Sequence, residues 1–149
     1  MDMIIKQCGV LNDSILMILV DTFVLINFFR GRETVGTVYF EKLLEEQKHF
    51  CINEFIYQEI LQGSKDEKEF SVLKSYLRDV PLYSLRLGIG SFENAALLNF
   101  RCRRGGVTIR STVDLLIAET AIENNIPLLH DDADFVNMAR IITELKLAV

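Results

Sequence analysis

The acidic residues that could do chemistry lie where a folded chain does not ordinarily place a charge. Asp21 directly follows six apolar residues. Glu59 lies one helical turn after two apolar residues and shares their face. Asp114 begins a helical pattern whose i+3, i+4 and i+7 positions are all apolar. A last acidic group, Asp131-Asp132-Ala133-Asp134, follows an apolar segment near the C-terminus. Carboxylates in such places need compensation by a hydrogen bond, a cation or a metal ion.

Convergence of these acids would favour divalent metal chemistry. Two carboxylates about 4 Å apart repel by about 4 kcal/mol at an effective dielectric constant near 20, so several acids together require cations. Oxygen ligands select Mg²⁺ or Mn²⁺, which also accept phosphate oxygens. Such ions activate a water molecule on one side of a phosphodiester and neutralise the leaving oxygen on the other. Convergent acids at these positions would therefore favour a site for Mg²⁺ or Mn²⁺ that acts on phosphodiester bonds.

Each acid also has a simpler explanation when it is taken alone. Asp21 could only cap a helix, and Asp114 could only complement the dipole of a first helical turn. Glu59 could be a solvated helical acid, and one or two of the three acids at 131–134 are turn residues. The joint arrangement, rather than any single residue, indicates the metal site.

Alternating strands and helices are predicted to position these acids. The apolar run at 15–20 predicts a central parallel strand, and Pro81 favours an edge position for the strand at 80–85. Helical periodicity places Val38 and Phe70 on buried faces. The further predicted strands are 49–52, 127–130 and 145–149, and the predicted helices are 22–29, 34–48, 53–62, 66–79, 91–104 and 113–124. This order predicts an α/β sheet with helices on both faces and a ligand site at the carboxyl ends of the strands.

Length and composition exclude several classes of protein. The chain has 149 residues and a formal net charge of −5, which indicates one domain that does not hold nucleic acid by bulk positive charge. No apolar run approaches the roughly 18 residues of a membrane span. The first residues lack the features of a secretory signal, so we expect a cytoplasmic protein. The cysteines Cys8, Cys51 and Cys102 have no metal-ligand spacing and are expected to be free thiols.

The first part of the chain differs from the rest. Met17 immediately precedes the apolar segment that leads to Asp21. Residues 1–16 are therefore either an N-terminal extension or a segment upstream of a natural start at Met17, and the sequence does not choose between them. We expect the folded domain to span residues 17–149.

Four segments carry a more specific signal when they are taken in order: ILVDTFVLINFFRG at 18–31, IYQEILQG at 56–63, RSTVDLLIA at 110–118 and LLHDDADF at 128–135. Together they resemble the PIN-domain ribonucleases of the VapC toxin type, from residue 17 to near the C-terminus. The resemblance implies a three-layer α/β/α sandwich with a mainly parallel central sheet. It also implies a Mg²⁺- or Mn²⁺-dependent endoribonuclease, a homodimer, and a cognate antitoxin protein that covers the acidic pocket.

The resemblance also implies roles for individual residues. Asp21, Glu59 and Asp114 match the family's acids on the first strand, an early helix and a late helix, and the resemblance implies that all three are catalytic and bind the metal ion. Asp132 is implied as the fourth catalytic and metal-binding acid, with Asp134 as an additional metal ligand.

Other positions support or depart from the family pattern. Thr22 matches the hydroxyl residue that follows the first acid. Phe23 stands where the family usually has a small polar residue, and Asn27 stands where an aspartate is common. The guanidinium groups of Arg103, Arg104 and Arg110 are candidates for contacts with RNA phosphates.

Three other functions remain open at this stage. An aspartyl phosphatase would show Asp-x-Asp after the first strand, whereas here Asp21-Thr22-Phe23 lacks the second aspartate. A phospho-accepting receiver domain would have adjacent acids after that strand and no counterpart of Glu59 or Asp114. A catalytically silent PIN-like module that binds RNA or protein would keep the fold but not the turnover.

Overall fold

A computed structural model describes residues 16–149 and contains a short parallel sheet. The strands are β1 (Met17–Val20), β2 (His49–Cys51) and β3 (Leu128–Leu129), in the order β2-β1-β3. Both neighbours run parallel to β1. The predicted central strand is therefore confirmed. The expectations for residues 1–15, Cys8 included, lie outside the described residues.

Seven helices surround the sheet in the described part of the chain. They are α1 (Thr22–Phe29), α2 (Val35–Glu45), α3 (Glu54–Gln62), α4 (Glu67–Leu77), α5 (Ile89–Arg104), α6 (Thr112–Glu123) and α7 (Ala133–Ile141). All four residues of β1 are buried, so both faces of the sheet are covered. The predicted α/β architecture is confirmed. Within residues 16–149, no helix is both long enough and apolar enough to cross a membrane.

The two predicted outer strands are shorter than expected. Leu82 forms one isolated parallel bridge to Ile52, and Leu147 forms one to Leu128. Pro81 has no N–H group with which to lengthen the ladder next to Ile52, although its carbonyl accepts a 3.1 Å hydrogen bond from Ile52 N. The predicted strands at 80–85 and 145–149 are therefore reduced to single bridges at the sheet edges.

The burial predicted for two helical side chains is wrong. Val38 is 51% exposed, because α2 buries the stripe that contains Phe40 and Leu43, and a residue two positions from Phe40 lies on nearly the opposite side. Phe70 is 42% exposed, because α4 buries its C-terminal half through Leu73 and Leu77. Amphipathic spacing identified the helices but not the part of each face that the core covers.

Two acids of α6, the buried Glu119 and the half-buried Glu123, lie next to the segment before α5. Glu119 is only 4% exposed, and burial, together with the hydrogen bond to and the charge of Glu123, raises the pKa of Glu119 to about 8. Glu123 Oε1 accepts hydrogen bonds from Arg86 N at 2.7 Å and Ser91 Oγ at 3.1 Å. The Ser91 hydroxyl also accepts one from Leu87 N at 3.1 Å. The carboxylate of Glu123 thus connects the end of α6 to the start of α5, next to the buried Glu119.

Replacing Glu119 by glutamine is expected to stabilise the protein increasingly as the pH rises. The raised pKa means that the folded state keeps a proton that the unfolded state releases above pH 4.5, so the stabilisation from Glu119 is lost as the pH rises towards about 8. The amide of the substituted glutamine donates a similar hydrogen bond without taking up a proton. We expect the Tm difference between Glu119→Gln and wild type to grow by about 3 °C between pH 5 and pH 9, which corresponds to about 1 kcal/mol for a domain of this size.

Glu93→Gln is the matched control for this prediction, because Glu93 is an exposed acid on α5. Its Tm difference from wild type should not follow the same trend. Thermal unfolding followed by circular dichroism measures both variants. A Glu119→Gln effect that is equal at the two pH values contradicts the raised pKa of Glu119.

Candidate functional site

Asp21 occupies the junction between β1 and α1 and is almost fully buried. It is 2% exposed, and its side chain does not make the helix-capping hydrogen bond that the sequence allows. Burial and the negative charge of Asp114 raise the pKa of Asp21 to about 7; the charge of Glu59 adds to this, and backbone N–H groups of Thr22 and Phe23 partly oppose it. The simpler interpretation of Asp21 as only a cap is therefore not sufficient.

Glu59 reaches this region from α3, which packs against α1. The Thr22 hydroxyl donates a 2.8 Å hydrogen bond to Glu59 Oε1, and Thr22 is itself 3% exposed. The supporting contact of Thr22 is therefore with Glu59. This bond fixes one carboxylate oxygen of Glu59 and leaves the other available.

Asp114 lies in the first turn of α6. Its carboxylate interacts electrostatically with the other acids of the site. Ser111 caps this helix, because its hydroxyl accepts a hydrogen bond from Asp114 N at 3.3 Å. Burial raises the pKa of Asp114 to about 6, with further contributions from the charges of Asp132, Glu59 and Asp134. Acids from four distant segments of the chain thus act electrostatically on one another.

Three of these acids are close enough to share one cation. One carboxylate oxygen from each of Asp114, Asp132 and Asp134 lies within 4.8 Å of the other two. Asp132 Oδ1 accepts a 2.8 Å hydrogen bond from Asp134 N and so caps α7, which leaves Oδ2 for a ligand. All three are hard oxygen donors and half-buried, which fits the preferences of Mg²⁺ and Mn²⁺.

Asp131 differs from its acidic neighbours because both oxygens of its carboxylate accept hydrogen bonds from other parts of the protein. Asp131 Oδ1 accepts a hydrogen bond from Gly36 N at 2.8 Å. Asp131 Oδ2 accepts one from Thr34 Oγ1 at 2.6 Å and a longer one from Asn27 Nδ2 at 3.4 Å. Asp131 thus has a structural role among the three loop acids, of which we expected one or two to be turn residues. Asn27, one of the departures from the family pattern, serves as a donor to it.

The candidate arginines have different surroundings. Arg103 and Arg104 are exposed at the end of α5, and their guanidinium carbons lie 5.9 and 5.7 Å from the centre of the Phe100 ring. Arg110 is exposed and immediately precedes Ser111, the cap of the helix that carries Asp114. The i+3 and i+4 spacing from Phe100 was the sequence signal for the ring contact, which the sequence analysis missed.

The acidic cluster has no protein cation as a partner in the part of the chain that is described. The ion pairs among the described residues lie elsewhere and join Lys42 and Lys48 to Glu46 and Arg101 to Glu144. Phe23, the other departure from the family pattern, is 52% exposed immediately after Asp21 and Thr22. The site therefore combines uncompensated carboxylates with an exposed aromatic residue beside them.

Comparisons with known proteins agree with this geometry. The family model described as PIN domain matches residues 18–141. Ribonuclease VapC11 of Mycobacterium tuberculosis is 36% identical over 133 residues, which cover 89% of this chain and 98% of that protein.

Two solved structures share the fold. The crystal structure of VapBC2 from Rickettsia felis, bound to a DNA fragment from its promoter, gives a TM-score of 0.67 at 19% identity and covers 89% of this chain and 97% of that one. VapBC-1 from nontypeable Haemophilus influenzae gives 0.65 at 20% identity and covers 89% and 96% of the two chains. The buried acids at the carboxyl ends of the strands, the family match and the identity to a VapC ribonuclease establish that this chain belongs to the PIN-domain family, within its VapC ribonucleases.

Proposed function

We propose that this protein is the toxin of a toxin–antitoxin pair and acts as a divalent-metal-dependent endoribonuclease. The observation that carries the proposal is the group of carboxylate oxygens of Asp114, Asp132 and Asp134, which lie within 4.8 Å of one another. The similarity to a ribonuclease over 98% of that protein's length supports RNA as the substrate. The domain that performs the reaction would be residues 17–149.

Each acidic residue has a distinct part in this proposal. Asp114, Asp132 and Asp134 would hold Mg²⁺ or Mn²⁺ directly, as one or two ions. Asp21, buried beside Asp114, and Glu59, whose Oε1 accepts the hydrogen bond from Thr22, are proposed as further catalytic and metal-binding acids. When bound, the metal ion supplies an activated water molecule and neutralises the leaving oxygen of the phosphodiester. Arg103, Arg104 and Arg110 are proposed to contact RNA phosphates, with Arg110 nearest in sequence to Asp114.

The proposal includes partners and a location. The VapBC complexes that share the fold support an antitoxin protein that covers the acidic pocket, where a basic side chain would compete with the metal ion. We also propose that the protein is a homodimer and that it acts in the cytoplasm, where RNA and antitoxin are both present. A catalytically silent PIN-like module is the alternative that the following experiments separate from a nuclease.

Replacing Asp114 by asparagine is expected to reduce RNA cleavage by about 100-fold or more, because a metal ion supplies several kcal/mol of charge stabilisation and each 1.4 kcal/mol is a factor of ten. Cleavage of an RNA pool by highly purified protein in Mn²⁺ measures the effect, and EDTA should abolish the wild-type activity. Asp66→Asn is the matched control, because Asp66 caps α4 away from the acidic cluster and asparagine caps a helix equally well.

The two proposed functions predict different results in this experiment. Equal cleavage by Asp114→Asn and wild type, or cleavage that survives EDTA, contradicts the nuclease assignment. Binding of Mn²⁺ by the wild type without any RNA turnover supports the silent module instead.

Metal affinity is expected to rise with pH. The carboxyl groups of Asp21 and Asp114 have pKa values of about 7 and about 6, so protons compete with the cation below neutrality. We expect Mn²⁺ affinity to increase by about tenfold or more between pH 5 and pH 7, as calorimetry can measure.

Stability without metal should follow the opposite trend. Because both folded-state pKa values lie above the ordinary value of 3.8, the metal-free protein loses stability as the pH rises from about 4 to about 7. Mn²⁺ should therefore raise Tm more at pH 7.5 than at pH 5.5. A metal affinity that does not change with pH contradicts the proposed ligand set.

The assembly is expected to contain two kinds of partner. A small protein should co-purify with the tagged chain and suppress its activity, and cleavage should return when that protein is removed under denaturing conditions and the chain is refolded. Light scattering of the freed chain should give twice its mass of 17.1 kDa. Full activity in the co-purified complex contradicts neutralisation by an antitoxin, and a mass of a single chain contradicts the homodimer.

A further inference from the structure

We propose that Asp131 is a positioning residue whose carboxylate fixes the acidic loop to the start of α2 and thereby sets the affinity of Asp114, Asp132 and Asp134 for a divalent cation. This inference rests on the proposed metal-dependent function. It assigns to Asp131 a role that is separate from metal ligation.

The contacts of Asp131 join segments that are far apart in the sequence. Its carboxylate accepts hydrogen bonds from Gly36 N, Thr34 Oγ1 and Asn27 Nδ2, at 2.8, 2.6 and 3.4 Å. The first two donors belong to the start of α2, and the third comes from α1. Neutral donors thus hydrogen-bond to both oxygens of the carboxylate, which makes Asp131 a poor candidate for a metal ligand. These hydrogen bonds instead attach the acidic loop to α1 and to the start of α2.

The surface that receives Asp131 is itself held in place. Thr34 caps α2, because its hydroxyl accepts a hydrogen bond from Thr37 N at 3.0 Å, while Thr37 Oγ1 accepts one from Thr34 N at 2.7 Å. This reciprocal capping box fixes the first turn of α2. The positive end of the helix dipole at this position also favours the negative charge of Asp131.

The loop that carries the metal ligands has little freedom once Asp131 is fixed. Asp132 N donates a 3.1 Å hydrogen bond to Nδ1 of the buried His130, and Asp132 Oδ1 accepts one from Asp134 N. Asp131 lies inside the first of these contacts, between His130 and Asp132. A movement of its carboxylate therefore displaces the backbone that aims Asp132 and Asp134, and metal sites tolerate displacements of only about 0.5 Å.

Gly36 and Asn27 accommodate the carboxylate of Asp131, and replacing either of them would disturb its hydrogen bonds. A Cβ atom on Gly36 would lie 2.6 Å from Asp131 Oδ1 and 2.8 Å from Val24 Cγ2, so the carboxylate would have to move. An aspartate at position 27 would place a second carboxylate where an amide now donates to Asp131. The neutral residue at position 27 is thus matched to the acid at position 131.

The test measures Mn²⁺ binding by calorimetry in the absence of RNA, for Gly36→Ala, Asn27→Asp and Asp131→Asn. None of these changes alters a proposed metal ligand. We expect Mn²⁺ affinity about tenfold weaker than wild type, in the range found for residues that orient metal ligands. Gly90→Ala is the matched control, because the nearest atom to its new Cβ is 3.6 Å away.

Two further measurements separate positioning from a merely structural role. RNA cleavage by Asn27→Asp should recover at high Mn²⁺ concentration, since the ligands themselves are intact. Thr34→Ser, which keeps the hydroxyl, should retain wild-type metal affinity, whereas Thr34→Val should not. Circular dichroism and Tm identify the temperature range in which each variant is folded.

The outcomes distinguish this inference from the proposed function. Folded variants that have a lower Tm but bind Mn²⁺ within about twofold of wild type overturn the positioning role and leave the metal site intact. A wild-type protein that binds no Mn²⁺ overturns the proposed metal centre and this inference together. Weaker Mn²⁺ binding in all three variants, with Gly90→Ala unchanged, supports the inference.

Discussion

The repulsion between carboxylates that the fold forces together is the interaction on which the site depends. Asp21 is buried beside Asp114, and Asp114 in turn experiences the charges of Asp132, Glu59 and Asp134. A chain that only needed stability would not keep such a group without a cation, because each uncompensated buried charge costs free energy. The hydrophobic core therefore supplies the free energy that holds the acids in place, and the proposed divalent ion would relieve their repulsion.

The fold produces this convergence through its parallel sheet. β1 and β3 both end at the same edge, so Asp21 and the loop 130–134 meet there although they are distant in the sequence. α3 and α6 bring Glu59 and Asp114 to the same place from outside the sheet. Neighbouring acids of this loop make different hydrogen bonds and so have different roles. Asp131 binds the start of α2, whereas Asp132 caps α7 and keeps one oxygen for a ligand.

Features with a local physical signature could be predicted from the sequence. The apolar run before Asp21 indicated the central strand, and Asn53 and Asp66 were correctly expected to begin helices because their side chains accept backbone hydrogen bonds there. Asp114 stood out because a charged residue led an apolar helical face. The segments in family order connected these separate signals to one site.

Features that depend on tertiary contacts could not be predicted in the same way. The exposure of Val38 and Phe70 reflects how much of each helix the core covers, and spacing alone carries no information on this. The partners of Asp131 lie about a hundred residues away in the sequence, so nothing local distinguished it from Asp132. The raised pKa of Glu119 was also missed, because an i, i+4 pair of acids is typical of a solvated helix face.

Anomalous diffraction from a crystal equilibrated with Mn²⁺ tests the central claim most directly, because it locates the ion without a substrate. The account predicts a peak within bonding distance of carboxylate oxygens of Asp114, Asp132 and Asp134, close to Asp21, with Asp131 still bound to Gly36. A peak at another surface, or no peak among these acids at saturating Mn²⁺, would contradict it.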